Sequence, residues 1–284
     1  MIKLHELTKD YGTTIAVNKL SLNVASGEIY GFIGPNGAGK TTTIRLMGGI
    51  LAPTSGSIII GGLDMAKKPV EGKKIIGFVP DRPFLYEKLT GMEFLRFSAD
   101  LYDVKRDTFL QKAQKLLQQF ALRDWANELI EAYSHGMKQR LIIASALLHD
   151  PRILIIDEPM VGLDPAAVHM VKDILKELAA NQTTIFISTH TLSIAEDLCN
   201  RIGLIHKGTL LAQGTLDELK HIAKLGEARL EEVFLTIIKV PVQKTIPSAP
   251  YMKIRDQLRF SLFGRKLLMA ESMRGLNREK IVFI

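Results

Sequence analysis

A single cysteine, Cys199, stands in the 284 residues, which excludes an internal disulfide and a cysteine metal cluster. It lies in an apolar, helical stretch and reads as a small buried side chain. No uninterrupted apolar run approaches the ~18 residues that span a bilayer. The opening Met1-Ile2-Lys3-Leu4-His5-Glu6 lacks the long apolar segment of a secretory signal. These absences predict a soluble, cytosolic protein. There is no internal repeat and no low-complexity tract. The first 240 residues also lack excess charge, carrying only +1 of the net +7. The body therefore has no nucleic-acid-binding signature. The basic character sits in residues 241–284, where nine Lys/Arg against three acids give +6. Hydrophobic content of 46% is ordinary for a globular chain, and the length allows one large domain or two small ones.

What is present begins with Gly34-Pro35-Asn36-Gly37-Ala38-Gly39-Lys40-Thr41-Thr42, which fits the phosphate-loop pattern G-x-x-x-x-G-K-[ST]. An apolar run, Ile29 to Ile33, precedes it and reads as a buried strand. Thr43 to Met47 follows as the first turns of a helix. Glycines let the backbone curl so that successive N–H groups face phosphate oxygens. The helix N-terminus adds partial positive charge. Lys40 supplies a full charge for the β- and γ-phosphates, and Thr41 a hydroxyl for Mg²⁺. The pattern predicts a bound nucleoside triphosphate.

Three regions follow one another along the chain. Up to about Pro80, strands and turns surround the phosphate loop: Val24 to Gly27 and Thr54-Ser55-Gly56 read as turns, and Ile58-Ile59-Ile60 as a short strand. From Asp81 to Met137 the chain is polar and helix-prone. Thr90-Gly91-Met92-Glu93 has capping-box spacing, and Phe109, Leu110, Ala113, Leu116, Leu117 and Phe120 follow helical periodicity. Strands and helices then alternate, with Ile153–Ile156 and Thr184–Ile187 apolar and β-branched, as in a sheet covered on both faces. Ala167, Met170, Val171, Ile174, Leu175 and Leu178 form one face of the helix between them. Thr215-Leu216-Asp217-Glu218 is a second capping box, and Leu230 to Ile238 a further apolar helix.

Ile153 to Ile156 ends in Asp157-Glu158. Ligands of open α/β sheets bind at the carboxyl ends of strands. Asp157 emerges there to hold the Mg²⁺ shell, and Glu158 can orient or deprotonate a water. Alone, the pair reads equally as acids capping a strand end. Beside a phosphate loop it reads as chemistry.

On these motifs the chain resembles the ATPase subunits of ABC transporters over about residues 1–225. Further segments fall in the order that family requires. Tyr133-Ser134-His135-Gly136-Met137 sits at the family's signature, usually L-S-G-G-Q, with His135 in place of a Gly. The resemblance implies that the Ser134 hydroxyl and Gly136 N–H contact the γ-phosphate of ATP held by another subunit. Ser134 also reads as an ordinary helix N-cap. Asp81 stands at the family's glutamine loop, a further candidate for Mg²⁺, and reads equally as a turn-forming Asp after Pro80. Asp164, in Gly162-Leu163-Asp164-Pro165, matches the D-loop and is also an N-cap before a proline. His190 matches the switch histidine at the γ-phosphate. Tyr11 matches the aromatic that stacks on adenine, with Val17 beside it.

The resemblance implies an α/β fold: a P-loop NTPase core with a mixed sheet, an N-terminal antiparallel β-subdomain and an α-helical insert. The expected organisation is an ATPase domain over 1–226 with its helical subdomain at about 82–135. A C-terminal helix follows over 227–240, then a basic tail over 241–284. ATP and Mg²⁺ are the expected ligands. The implied activity is ATP hydrolysis driving a separate integral membrane permease, with export the expected direction. The subunit would pair head to tail with a second copy or a related subunit, since one phosphate loop and one signature face different sites. Residues Phe84, Leu85, Tyr86 and Leu89 are candidates for permease contact and read equally as a helical-domain core. The implied location is the cytoplasmic face of the membrane, and no nucleic-acid partner is expected. The basic tail suits an anionic lipid surface, docking on the permease, or a loosely ordered end. The alternative is a soluble ABC-type ATPase acting on nucleic acid or ribosomes. Such proteins usually carry two cassettes or a long coiled-coil insertion, and this chain has neither.

Overall fold

The computed structural model describes residues 1–82 and 84–239. The expected basic tail, residues 241–284, lies outside the described residues. Strands β1 (Ile2–Asp10) and β2 (Ile15–Val24) pair antiparallel, with Ile2 opposite Val24 and Leu4 opposite Leu22. Ile2 and Leu4 are buried while Lys3 and His5 are exposed, the alternation of a sheet covered on one face. Next come β3 (Ile29–Ile33), buried throughout, and α1 (Lys40–Met47). β4 (Ser55–Ile60) and the short β5 (Leu63–Asp64) complete a four-stranded antiparallel sheet of order β2-β1-β4-β5. The turn expected at Thr54 to Gly56 is only partly present, because Ser55 and Gly56 already belong to β4. The β1–β4 ladder shifts register between His5 and Thr8, and an irregular ladder tolerates a glycine there.

A short helix α2 (Pro69–Lys74) leads to β6 (Ile76–Val79). Then come α3 (Gly91–Leu101) and α4 (Arg106–Gln119), two 3₁₀ turns at Arg123–Trp125 and Ile130–Ala132, and α5 (His135–Leu147). The capping box at Thr90 forms as the spacing predicts: Glu93 N donates to Thr90 Oγ1 at 3.2 Å and Thr90 N to Glu93 Oε2 at 2.8 Å. In α4, Phe109, Ala113, Leu116 and Leu117 are buried, but Leu110 is 54% exposed. One position from Phe109 is a 100° rotation, and the stripe that closes on the core runs through 109, 113 and 117.

The chain then alternates: β7 (Ile153–Asp157), α6 (Pro165–Ala180), β8 (Thr184–Thr189), α7 (Leu192–Leu198), β9 (Arg201–His206), β10 (Thr209–Gly214), α8 (Leu216–Ala223) and α9 (Leu230–Lys239). A six-stranded sheet of order β10-β9-β3-β8-β7-β6 results, parallel except for β10. Ala167, Val171 and Leu175 of α6 are buried, while Met170, Ile174 and Leu178 are half-buried. Two large cores flank this sheet. One joins the antiparallel sheet to α1 through Leu4, Leu22, Phe32, Ile44, Ile60 and Phe186. The other is continuous from Phe94, Phe109 and Phe120 of the helical segment through Leu141 of α5 to Ile156 and Val171. The helical segment therefore shares its core with the sheet. Among the described residues no helix is long and apolar enough to cross a membrane.

Candidate functional site

The parallel strands β3, β6, β7 and β8 end on one edge of the sheet. A cleft of about 700 Å³ lies there, lined by Pro35 to Thr42, Asp81, Asp157, Glu158 and His190, among others. Carboxyl ends of parallel strands are where such sheets bind ligands. Residues distant in sequence thus meet because their strands share direction.

Gly39 is the N-cap of α1 at φ 107, a left-handed conformation. A side chain there would also run into Ala16 O. Among the described residues no side chain caps α1, and its first turn holds no acid. The N–H groups of that turn are therefore left for an anion. Lys40 is only 7% exposed. Its Nζ donates to Gly34 O at 2.7 Å and lies 3.9 Å from Glu158 Oε1.

Asp157 is buried at the end of β7 and accepts a hydrogen bond from Ser188 Oγ, with Thr41 also in the cleft wall. Burial pushes its pKa up; the Ser188 and Thr41 hydroxyls oppose this, while the charges of Asp81 and Glu158 add to it. The cleft is thus lined by three carboxylates, Asp81, Asp157 and Glu158, together with the Thr41 side chain. That donor set suits a hard cation that takes few protein ligands, as Mg²⁺ does. Among the described residues no group of three or more His, Cys, Asp or Glu side chains is arranged to hold a metal ion by itself.

Glu158 has φ 53, uncommon for a residue with a side chain, and its N–H donates to Ser188 O at 3.1 Å. His190 Nδ1 is 2.8 Å from Glu158 Oε1. A carboxylate only accepts, so Nδ1 carries the hydrogen.

The other motif residues are placed elsewhere. Ser134, at the N-cap of α5, accepts from Met137 N at 3.2 Å. Ser134 and His135 are exposed, Gly136 half-buried and Met137 buried; none lines the cleft. Asp164 caps α6, its Oδ1 accepting from Ala167 N at 2.8 Å. Tyr11 is 53% exposed under Lys9 Nζ and is not part of the cleft wall. Val17 departs from expectation more sharply. It is wholly buried in the core and offers no surface to a base; Thr14, Ile15 and Ala16 form that wall.

Sequence reasoning missed Lys207 and Gly208, in the turn between β9 and β10, which complete the wall. Gly208 N donates to Ala38 O at 2.8 Å. It also gave Ser188 no role, although a hydroxyl inside a wholly buried strand was the available signal. A second cleft of about 580 Å³ near Cys199 and Asn200 contains none of the motif residues.

Comparison with known proteins agrees with this geometry. The family model described as "ABC transporter" matches residues 17–161, from β2 to just past Glu158. The bacitracin transport ATP-binding protein BcrA of Bacillus licheniformis is 42% identical over 221 residues, 78% of this chain and 71% of that protein. The linearmycin resistance ATP-binding protein LnrL of Bacillus subtilis is 35% identical over 84% of this chain and 79% of its own length. An ATP-binding subunit of an ABC transporter superposes with TM-score 0.80 at 34% identity, over 84% of this chain and all of that one. A dimeric ATP-binding cassette in a post-hydrolysis state, bound to ADP and Pi, superposes with TM-score 0.68 at 26% identity, over 76% of this chain and 99% of its own.

Proposed function

This chain belongs to the ABC transporter family, and we propose that it is the ATP-hydrolysing subunit of an exporter, working as a head-to-tail dimer under a separate membrane permease. The observation that carries the proposal is the split arrangement. Phosphate loop, Asp157, Glu158 and His190 share one cleft, while the Ser134 turn lies outside it. In this reading one copy presents the phosphate-loop half of one composite site and the Ser134 half of the other. In the dimeric relative the bound products are ADP and Pi.

Each residue's role follows from its position. The bare turn of α1 and Lys40 hold the β- and γ-phosphates, with Lys40 exchanging its carbonyl partners for phosphate oxygens. Thr41 and Asp157, with Asp81 as a further oxygen donor, would hold Mg²⁺. That ion supplies charge neutralisation for the phosphates. Glu158 takes the proton of an attacking water, and His190 holds the Glu158 carboxylate through Nδ1. Tyr11 stacks on the base. Ser134 and Gly136 face the γ-phosphate held by the other copy, and Asp164 lies at the dimer seam. The exposed cluster Phe84, Tyr86 and Phe97, edge to face at 5.2 and 5.3 Å, suits the permease contact. Residues 1–226 serve as the ATPase domain, with 82–135 as its helical subdomain, on the cytoplasmic side of the membrane. The relatives' names, bacitracin transport and linearmycin resistance, favour export.

The test mixes two dead variants. Lys40→Ala loses phosphate binding and Ser134→Arg blocks the opposite site. Mixed together, they regain at most one competent composite site per dimer, and turnover returns in part. No recovery from the mixture, or full activity in a protein that stays monomeric, rejects the sandwich. The tail's +6 adds attraction to anionic lipid of about 1 kcal/mol per basic residue near the surface. Flotation with anionic vesicles should weaken with salt and on truncation after Val240. Equal flotation of both forms rejects that role.

A further inference from the structure

Three contacts tie the first two turns of α5 to the loop between Glu158 and α6. The His135 ring packs on the backbone of Gly162. A methyl group added at Gly162 would overlap ring atom Cδ2 and come within 2.7 Å of Nε2. One added at Gly136 would come within 3.0 Å of Gly162 O. The Gln139 side chain, 4% exposed, donates from Nε2 to Pro159 O at 3.4 Å.

The loop's own hydrogen bonds are weak. Val161 N to Glu158 O is 3.4 Å and Leu163 N to Met160 O is 3.3 Å, both long for backbone bonds. Both Gly162 (φ 76) and Glu158 (φ 53) sit in the left-handed region, so the segment is not held by ordinary local preference. Its ends are held by the Glu158 N–H bond to Ser188 O and by the Asp164 cap of α6, and between them its bracing comes from α5.

We infer that His135 is a positioning residue for Glu158: its ring, filling the space a side chain at Gly162 would need, fixes the loop that aims the Glu158 carboxylate. The inference rests on the reading of Glu158 as the group that activates water. The contact is one of shape. The ring packs on backbone, and no hydrogen bond of His135 enters the argument. Bulk at 135 and its absence at 162 are complementary, so at most one of the two positions can carry a side chain without displacement.

The experiment measures steady-state Mg²⁺-ATP hydrolysis by the full chain, with amide hydrogen exchange over residues 158–164. His135→Gly should lower kcat roughly fivefold or more, the scale of coupling between contacting residues. KM should move less than twofold, and exchange at Val161 and Leu163 should quicken. His135→Phe keeps a planar ring without a titratable nitrogen and should hold kcat within about twofold of the parent. Gly162→Ala alone should fall at least as far as His135→Gly, because the methyl group meets the ring. Adding His135→Gly to it should recover part of the loss. The inference is overturned if His135→Gly changes neither kcat nor exchange, if His135→Phe fails like His135→Gly, or if the two single losses simply multiply. Glu158→Gln, measured alongside, separates the two levels. Normal turnover there rejects the catalytic reading itself. A slow Glu158→Gln with multiplying singles removes only the brace.

Discussion

Two helices of this molecule begin at segments proposed to meet nucleotide, and they begin differently. α1 starts at Gly39 with no side-chain cap and no acid in its first turn, inside a cleft. α5 starts at Ser134, whose hydroxyl already accepts from Met137 N, and its first turn lies on the surface. Around α1 the chain has gathered a lysine, three carboxylates and a histidine. Around α5 it has gathered packing: Tyr133, Met137 and Gln139 are buried beneath the exposed turn. The first helix start is complete with respect to its own chain's chemistry. The second is capped without any ligand and leaves the Ser134 side chain exposed. That is the form expected of a contact made to another copy.

The largest break of this contrast is Glu158→Gln. It should leave the α1 half able to bind ATP while removing the proposed base, so turnover should fall ~10²–10⁴-fold. The variant should then persist as an ATP-bound dimer in gel filtration, since hydrolysis is the step that would release it. Turnover within a few-fold of the parent removes Glu158 from the role. Ser134→Arg breaks the other half. Its bulk and charge at an exposed turn should leave ATP affinity of the isolated subunit within about twofold, the size of a surface change, while dimerisation and turnover are lost. A drop in affinity measured on the monomer would place Ser134 in its own chain's cleft instead.

How legible each half was follows the same division. The phosphate loop, Asp157-Glu158 and the capping boxes at Thr90 and Thr215 could be read because they are local: spacing of a few residues fixes their geometry. The wall of the cleft could not. Ile15, Ala16, Lys207 and Gly208 reach it through sheet order, and nothing local marks them. Val17 was misplaced for a similar reason. Proximity to Tyr11 in sequence says nothing about which face of β2 a residue takes, and Val17 takes the core face. Ser134 was ambiguous in sequence between cap and contact. The structure shows the cap, and the two roles are compatible.

Asp157 sharpens the contrast through stability. Burial raises its folded pKa above the ordinary carboxylate value. The stability linked to its protonated form is therefore present below the unfolded pKa and lost as pH rises through the folded one. Ionised, the buried Asp157 is a cost that a bound cation would offset. Asp157→Asn should raise Tm of the nucleotide-free protein near pH 7, and the gain should vanish toward pH 4, near the unfolded value. Mg²⁺-ATP should stabilise the parent more than the variant. A lower Tm for Asp157→Asn at pH 7 would mean that the hydroxyls of Ser188 and Thr41 outweigh burial.

The finest test separates cap from contact at Ser134 itself. Replacing an N-cap Ser by Ala costs ~1 kcal/mol, by Gly only a few tenths, because Gly leaves the orphan N–H groups open to water. For a domain of this size ~1 kcal/mol moves Tm by about 2–4 °C. Ser134→Ala should show that shift and Ser134→Gly less than half of it. Both remove the hydroxyl, so if Ser134 also contacts the γ-phosphate across a dimer, both should lose turnover to a similar degree despite their different stabilities. A hydrogen bond to a charged group is worth ~1.5–3 kcal/mol, which corresponds to roughly 10–150-fold. If turnover instead tracks Tm, with Ser134→Gly nearly as active as the parent, the hydroxyl serves the helix alone. The contrast between the two helix starts would then reduce to one between a ligand site and an ordinary cap.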